Sequence, residues 1–538
     1  MKKISPFDKL ISLEQAAETQ WDVIIVGAGM GGGATAFSLS AKGFKVLLVE
    51  KGHANFDESA AQSVVVEERD EQKRLQGGRW PQQVTGTVND KDIELWAPLG
   101  CGVGGSTLLY AAALQRLKPE DFAQQTLPDG SNICWPYTYQ EIQPYYQQCE
   151  KLFSVKGTPD PLDQNETLDL LPPPAMCERD RSFFQSFKQS GLHPYRLHVA
   201  LDYKQSCAEC GGKICQADCK KDAFNALIAP ALKTGHLYIL DRCEIEKIEA
   251  SKQSVEGLIA KQQGNVKQLK AKTYVLAAGG YFTPAILKKS ADNNWPHGCG
   301  NSNGLIGKNL MFHTSDFIAF WPEQKNASNF GPNKTIALRN FYSLDGKKYG
   351  EFQSTGLPAG YGNILFSLRM LFDQSPFRKL PLVRQLLRIP AKIAAKILGE
   401  ATIFTTIVED FPKPENRIEI NTSAPSGIQF FYHIDEDLKQ RTQMLSKFIR
   451  RATKKLRSMP LSIGINPNWG HPCGTCKAGT DPSTSVVDEN CKFHDLDNLY
   501  VSDSSFMPTS GGTNPSLTIA ANALRVGDKI AEHLQRKH

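Results

Sequence analysis

The sequence has no uninterrupted apolar run of the roughly 20 residues that a membrane-spanning helix needs. Residues 1–10 include three lysines, but no apolar core or small-residue cleavage site follows the first two, so we expect no secretory signal. Together these absences predict a cytoplasmic protein, in a compartment where thiols stay reduced. Export together with a signal-bearing partner subunit stays open.

Cysteine content and net charge are both low. The chain has 13 cysteines in 538 residues, an odd number and a small fraction, which argues against a disulfide scaffold. Lys and Arg number 62 against 56 Asp and Glu, a formal net charge of only +6. We therefore expect no nucleic-acid partner, since such proteins present a strongly basic face. The length predicts about two or three domains.

The first fifty residues have the pattern of a dinucleotide-binding unit. A β-branched run at 21–26 is followed by a glycine-rich turn, a helix of small residues and a second strand that ends in Glu50. Gly27 permits the tight turn, Gly29 lets the backbone approach a pyrophosphate, and Gly32 lets the helix pack on the strand. The Glu50 carboxylate would accept hydrogen bonds from an adenosine ribose. This unit alone does not distinguish FAD from NAD.

Further motifs follow along the chain and narrow the choice. A second glycine-rich loop contains Gly104, Gly105 and Ser106, whose amides would face a flavin. The other motifs lie at residues 275–287, 307–313, 412–418, 471–475, 498–508 and 514–518. In this order and at these spacings the chain resembles the glucose–methanol–choline (GMC) family of oxidoreductases, from about Trp21 to the last helix.

The resemblance implies an α/β fold, α+β overall. A Rossmann-like FAD-binding domain would be discontinuous and carry an inserted substrate domain of antiparallel sheet and helices. The FAD-binding domain would take residues 18–150, 235–312 and 465–538. A cysteine-rich and cap segment would take 151–234, and the substrate-binding domain 313–464.

The resemblance also implies how the cofactor is held. Asp503 and Pro515 would complete the cofactor-binding set with the glycines and Glu50. Some relatives attach the flavin to a histidine in the second glycine-rich loop. Residues 104–110 contain no histidine, so we expect FAD without a covalent link.

Two residues match the catalytic positions of the family. His471 opens the H-x-x-G-T motif, and Asn514 precedes Pro515 in the Asn-Pro pair. Hydride transfer from an alcohol needs a group that receives the hydroxyl proton, and a neutral imidazole suits that task. Asn514 would hold the same oxygen and stabilise alkoxide character. The alternative for His471 is a structural hydrogen-bonding role in a tight turn.

Four cysteines within thirteen residues form the most unusual segment. Cys207, Cys210, Cys215 and Cys219 have the spacing C-x2-C-x4-C-x3-C, compact enough to surround one metal centre. The stretch resembles that of multi-subunit sugar and gluconate dehydrogenases, where it holds an iron–sulfur cluster, although Lys220 replaces the proline that usually follows. Three hypotheses stay open: an iron–sulfur cluster, a structural zinc ion, or a metal-free loop.

Residues 374–399 contain no acid and six bases, which account for the whole net charge. Apolar residues recur there at helical spacing, at Leu382, Leu386, Ile389, Ile393 and Ile397, and Pro390 would interrupt this helix or start a second one. Basic amphipathic helices lie on anionic membrane surfaces, which would place the protein at the inner face of the membrane. A covering helix with a solvated basic face is the alternative. The bases are Arg378, Lys379, Arg384, Arg388, Lys392 and Lys396.

These motifs predict an FAD-dependent alcohol dehydrogenase that acts on a CH–OH group and passes electrons to a quinone, cytochrome or partner subunit. An iron–sulfur relay and a membrane-facing helix would be of little use to an enzyme that reduces dissolved oxygen. One alternative is an oxidase of a lipid-like alcohol or sterol. Another is a non-catalytic flavoprotein subunit for electron transfer, against which His471 and Asn514 argue.

Overall fold

The structure, a computed structural model, describes most of the chain. The described residues are 9–56, 68–127, 129–163, 167–204, 207, 209–323, 328, 330–373, 375, 377, 380–462 and 464–536.

A five-stranded parallel sheet forms the first layer. Its strands are apolar and almost fully buried, as a parallel sheet covered on both faces requires. The helix Met30–Ala41 follows the central strand and packs against the long C-terminal helix Ser516–Arg536, where a Cβ on Gly527 would lie 2.7 Å from the Ser38 Cβ. In spatial order the strands are Leu499–Val501, Ala271–Leu276, Trp21–Val26, Val46–Val49 and Leu237–Leu240.

A large antiparallel sheet forms the second layer. The helices Glu178–Gln189 and Glu436–Ala452 pack beside it, and aromatic side chains such as Phe187, Phe352 and Phe404 fill its core. Its main path runs through Ser458–Pro460, Phe317–Phe320, Thr402–Val408, Gly350–Pro358, Ile336–Leu338 and Tyr195–Arg196, with Thr314–Ser315 and Asn466–Pro467 attached.

Smaller sheets complete the β structure. A four-stranded sheet joins segments far apart in sequence, Val84–Val88 and Lys91–Leu95 with Arg417–Ile420 and Ile428–Tyr432. Along the sequence, a three-stranded meander lies between two strands of the parallel sheet. It comprises Glu244–Ala250, Val255–Gln262 and Asn265–Leu269, and two short hairpins pair Gln125–Thr126 with Asn132–Ile133 and Ser343–Leu344 with Lys347–Lys348.

Between the strands Gly350–Pro358 and Thr402–Val408 of the large sheet, the chain forms three helices, called here the helical insertion. They are Tyr361–Asp373, Pro381–Leu386 and Arg388–Leu398. Pro390 lies in the first turn of the last helix, where its missing N–H costs no hydrogen bond. Arg378 and Lys379 lie outside the described residues.

The remaining helical segments complete the fold. They are the α-helices Leu13–Glu18, Glu71–Gln76, Tyr139–Leu152, Ala229–Leu232 and Gly279–Lys289, the π-helix Phe224–Ile228, and the 3-10 turns Gly105–Leu108, Pro119–Asp121 and Ser504–Phe506.

The predicted fold class is confirmed: a Rossmann-like parallel sheet is combined with a separate antiparallel sheet and its helices. The exact division into domains stays a prediction. Among the described residues, no helix is long and apolar enough to cross a membrane.

Candidate active site

A cavity of about 830 Å³ lies between the parallel sheet and the large antiparallel sheet, with walls from both. Its volume falls in the range typical of ligand sites. It brings together most of the residues that the sequence singles out. They are Gly27, Gly29, Glu50, Gly105, Ser106, His471, Asp503, Asn514 and Pro515.

The first glycine-rich turn forms one end of the cavity. Gly27 has a φ of +104°, and a Cβ there would lie 2.3 Å from the Ala277 carbonyl oxygen. Gly29 caps the helix Met30–Ala41, whose N-terminal N–H groups suit an anion such as a pyrophosphate. Gly32 is not part of the cavity wall; it lets the helix approach Gly27, whose carbonyl oxygen would lie 1.9 Å from an added Cβ.

The second glycine-rich loop packs closely against the first. The Gly104 N–H donates to the Ala28 carbonyl at 2.8 Å. A Cβ on Gly105 would lie only 2.5 Å from the Gly29 Cα, so this approach requires glycine. The Ser106 hydroxyl accepts from the Gly100 N–H at 3.1 Å, which fixes the loop on the cavity wall.

Glu50 is a buried carboxylate held by backbone N–H groups. It accepts hydrogen bonds from Ala28 at 2.9 Å, Gly52 at 2.9 Å and Gly102 at 3.0 Å. Burial raises the pKa of Glu50, and these three hydrogen bonds oppose that effect. The Cys101 thiol also donates to Oε1 at 3.9 Å, whereas Oε2, which accepts from Ala28, keeps its second lone pair for a ribose hydroxyl.

Asp503 joins two elements at the carboxyl edge of the parallel sheet. Its carboxylate accepts from the Gly279 N–H at 2.7 Å and from the Ser505 N–H at 2.8 Å. Gly279 begins the helix Gly279–Lys289, so Asp503 lies at the positive end of that helix. Asp503 therefore holds the wall of the cavity in shape beside the cofactor cradle.

His471 lines the cavity and is neutral at ordinary pH. Burial, together with the neighbouring His313 and Lys334, lowers its pKa to about 3. Its Nδ1 atom lies 3.2 Å from Nδ1 of His313. The backbone N–H of His471 donates to the Asn468 carbonyl at 2.9 Å, which fixes the turn that carries the ring.

The hydrogen bonds of His313 assign the tautomer of His471. His313 Nε2 lies 3.0 Å from the Gly511 carbonyl oxygen, which only accepts, so this nitrogen carries the proton. Burial lowers the pKa of His313 to about 4, so the ring is neutral and its Nδ1 is an acceptor. His471 Nδ1–H then donates to His313, and His471 Nε2 keeps a lone pair.

Asn468 makes a competing contact with the same nitrogen. Its Nδ2 lies 3.3 Å from His471 Nδ1, while its Oδ1 accepts from the Gly470 N–H. Because the amide nitrogen only donates, this contact is a hydrogen bond only in the other tautomer of His471; the contact with His313 Nδ1, an acceptor fixed by Gly511, favours the proton on His471 Nδ1.

Sequence reasoning missed His313 and Lys334. His313 is the last residue of the motif at 307–313, so the sequence contained a signal for it. Lys334 lies in no motif of the sequence. The Lys334 side chain is 6% exposed and lies on the cavity wall, where its Nζ donates to the Ala111 carbonyl at 3.1 Å. Burial lowers the pKa of Lys334 to about 8, and Glu209 and Glu351 oppose that effect.

Asn514 also lines the cavity. Its Nδ2 donates to Gln353 Oε1 at 3.2 Å, which orients the amide. An amide nitrogen has two hydrogens, so the second remains for a ligand in the cavity. His471, Asn514 and Lys334 thus give the cavity a lone pair, a neutral donor and a cation.

Two family models described as GMC oxidoreductase match the chain, an N-terminal one over residues 22–315 and a C-terminal one over residues 412–523. The chain belongs to the GMC oxidoreductase family. The expected family membership and the expectation of an enzyme are thereby confirmed.

Similar proteins include both oxidases and dehydrogenases. The 6'''-hydroxyparomomycin C oxidase of Streptomyces lividus is 27% identical, covering 96% of this chain and 92% of that protein. The fructose dehydrogenase large subunit of Gluconobacter japonicus is 24% identical, covering 96% and 98%. The crystal structure of a pyridoxine 4-oxidase from Mesorbium loti shares the fold at a TM-score of 0.65 and 17% identity, covering 95% of this chain and 99% of that one.

GMC oxidoreductases bind FAD, and the residues of this cavity fit that cofactor. The N-terminus of the helix Met30–Ala41 faces the cavity, and Gly27 and Gly105 leave no room for side chains beside it. Glu50 presents a carboxylate at the end of the second strand. The dinucleotide unit that the sequence predicts would therefore hold FAD.

The cysteine-rich segment of this GMC oxidoreductase gives no support to a metal centre. Across the described residues, no three His, Cys, Asp or Glu side chains are placed to bind a metal ion. The Cys207 thiol lies beside that of Cys219 and the Cys210 thiol beside that of Cys215, and the Cys219 N–H donates to Cys215 Sγ at 3.3 Å. Burial raises the pKa of Cys207 to about 12, so without a metal ion this cysteine is a neutral thiol.

Lys220 explains how this segment is anchored. Its side chain is 1% exposed, and Nζ donates to the carbonyl oxygens of Leu108, Tyr110, Cys210 and Lys213 at 2.7 to 3.1 Å. The ammonium thereby ties the cysteine loop to the second glycine-rich loop beside the cavity. The replacement of the usual proline by Lys220 is thus a structural substitution.

Proposed function

We propose that this protein is an FAD-dependent alcohol dehydrogenase that oxidises a CH–OH group to a carbonyl group. The observation that carries the proposal is the hydrogen-bond chain from Gly511 through His313 to His471, which leaves His471 Nε2 as a proton acceptor on the cavity wall. Relatives named for alcohols or sugars support a CH–OH donor, among them the fructose dehydrogenase large subunit and a long-chain-alcohol oxidase of Arabidopsis thaliana, 23% identical over 96% of this chain.

Three side chains of this chain perform the proton and charge chemistry. His471 Nε2 takes the hydroxyl proton as the C–H bond breaks. The free hydrogen of Asn514 Nδ2 and the ammonium of Lys334 stabilise negative charge that develops on the alcohol oxygen. Bound FAD supplies the acceptor for the hydride.

His313 acts through His471 as a positioning residue. A neutral imidazole has two tautomers, and only the one with the proton on Nδ1 presents a lone pair at Nε2. By accepting from His471 Nδ1, His313 selects this tautomer and fixes the plane of the ring at 86° to its own. The same contact holds the base ready before substrate arrives.

The electron acceptor in this proposal is a quinone, a cytochrome or a partner subunit. The argument rests on the exposed helical insertion, since a protein held at a membrane can reach these acceptors directly. The proposal sends no electrons through the cysteines, because among the described residues no three His, Cys, Asp or Glu side chains are placed to bind a metal ion. The second candidate is an oxygen-reducing oxidase of a lipid-like alcohol, which the same insertion would also suit.

Anaerobic mixing with a panel of alcohols tests the proposal. Substrate should bleach the flavin absorbance within a single turnover, whereas a non-catalytic electron-transfer subunit would not respond to any alcohol. Reoxidation of the bleached protein should be faster with a quinone analogue than with air. Faster reoxidation by air would instead favour the oxidase.

A further inference from the structure

The helical insertion turns its apolar side chains outward. The five apolar residues spaced along its last two helices are each between 52% and 70% exposed. The helix Arg388–Leu398 buries Ala391 and Leu398, and Leu398 packs in a small cluster that includes Ala319 and Ala401. A simple covering helix would bury its apolar face. The outward residues, called here the apolar stripe, are Leu382, Leu386, Ile389, Ile393 and Ile397.

Bases accompany the apolar stripe. Arg388, Lys392 and Lys396 are exposed, and each immediately precedes an isoleucine of the stripe. Arg384 is paired with Asp373 at 2.9 Å, within the insertion. Residues 374–399 contain six bases and no acid, so an anionic surface complements them, whereas a second copy of this face would repel them.

The helical insertion begins close to the entrance of the cavity. Leu357 and Phe317 line the cavity and are 45% and 38% exposed, so they mark its apolar mouth. Leu357 lies on the strand Gly350–Pro358, and the first helix of the insertion begins at Tyr361. A surface that binds the insertion therefore lies beside the mouth.

We propose that the helical insertion docks on an anionic membrane surface and that the cavity takes up an alcohol dissolved in the lipid. The apolar stripe would enter the boundary between headgroups and acyl chains, while the bases would contact anionic headgroups. An apolar alcohol would then reach His471 without crossing bulk water. The docking rests on the insertion alone, and the choice of substrate rests also on the proposed function.

Sedimentation with lipid vesicles tests the docking. The holoenzyme should bind vesicles of phosphatidylcholine with one quarter phosphatidylglycerol at 0.1 M salt, and bind pure phosphatidylcholine at least tenfold more weakly. Binding should decrease at 1 M salt, because the Debye length falls from about 10 Å to about 3 Å. Equal binding to both lipids, or none to either, would overturn the docking.

A matched pair of variants separates this surface from general basicity. Replacing Arg388, Lys392 and Lys396 by Gln should weaken binding on the order of a hundredfold, at roughly fivefold per base. The control variant replaces Lys447, Arg450 and Arg451 by Gln, three exposed bases of the helix Glu436–Ala452. This variant should bind vesicles like the native protein. Equal losses in the two variants would show that net charge, not the insertion, is responsible.

The apolar contribution needs its own variant. Replacing Ile389, Ile393 and Ile397 by Gln keeps every charge and should weaken vesicle binding by at least about tenfold, because buried apolar area is lost. Flavin content and melting temperature should stay native, since these side chains are exposed. If the native protein instead forms a dimer that this variant abolishes, and neither binds vesicles, the stripe is an interface between copies.

Turnover distinguishes the substrate from the docking. Hexadecanol in anionic vesicles should be oxidised by the native enzyme at least tenfold faster than by the triple Gln variant of the bases. A short water-soluble alcohol should be oxidised equally by both. Equal rates on hexadecanol would overturn the lipid-dissolved substrate, whereas inactivity on every alcohol would overturn the proposed function and leave vesicle binding as a separate result.

Discussion

The Nδ1 atoms of His471 and His313 lie 3.2 Å apart, and the two rings are nearly perpendicular. Because His313 Nε2 donates to the Gly511 carbonyl, the proton between the two Nδ1 atoms belongs to His471. The remaining lone pair of His471 is therefore on Nε2. This one contact therefore orients the buried His471 as a base.

Replacing His471 by Ala should slow flavin reduction by the alcohol about a hundredfold or more, the usual effect of losing a general base. FAD should stay bound, because its cradle is formed by other elements. Anaerobic stopped-flow spectroscopy measures the reduction rate, and the protein absorbance measures flavin content. A native reduction rate in this variant would refute the assignment.

Replacing His313 by Leu should lower kcat by about tenfold to a hundredfold, since His471 loses its hydrogen-bond acceptor and with it the favoured tautomer. His313→Asn supplies an acceptor oxygen and should recover part of this loss. Steady-state kinetics on the two variants, with melting temperatures as a control for folding, makes the comparison. If both variants lose the same factor in kcat at the same melting temperature, His313 has a packing role only.

The pH profile of kcat/KM should have an unusually wide plateau. His471 works as a base only when unprotonated, and its pKa of about 3 keeps it so well below the usual 6.5 of histidine. Activity should therefore show no loss near pH 6.5. Lys334, with a pKa of about 8, loses its positive charge above that pH, so activity should decline there.

A Lys334→Gln variant checks the upper limb of this profile. It should be slower than the native enzyme at pH 7 and should lack the decline above pH 8. An unchanged upper limb in this variant would assign the decline to another group.

Replacing Gly29 by Val should abolish flavin retention while leaving the apoprotein folded. A Cβ at Gly29 lies 3.8 Å from its nearest protein neighbour, the Gly105 Cα, so the protein itself has room for it. The added side chain occupies the space through which a pyrophosphate approaches. If the purified variant still contains flavin, the cofactor does not bind at this turn.

Gly105→Val is the matched control for that experiment. Its Cβ would lie 2.5 Å from the Gly29 Cα, so the two loops must separate even without cofactor. The melting temperature of the apoprotein should fall in this variant and stay native in Gly29→Val.

Replacing Cys215 by Ser should leave the visible spectrum unchanged, because Cys215 is paired with the Cys210 thiol. Protein purified without oxygen should show the flavin bands only, and iron analysis gives an independent measurement. Broad absorbance beyond the flavin bands that disappears in the variant would restore the iron–sulfur hypothesis.

The sequence by itself determined the dinucleotide unit and the family. A buried strand, a glycine turn and a helix of small residues follow from local rules, since glycine alone tolerates the φ of +104° at Gly27. His471 and Asn514 were identified because each lies inside a short motif. These features are local, and residue order alone specifies them.

The tertiary structure decided what depends on distant contacts. His313 and His471 are 158 residues apart, and Lys334 reaches their cavity from the loop before the strand Ile336–Leu338, so no local pattern pairs them. The cysteine spacing fits a metal centre or a metal-free loop, and the fold places no three of the described His, Cys, Asp or Glu side chains to bind a metal ion. The repeat from Leu382 to Ile397 indicates an apolar face, but only packing decides whether that face points to the core or to the surroundings.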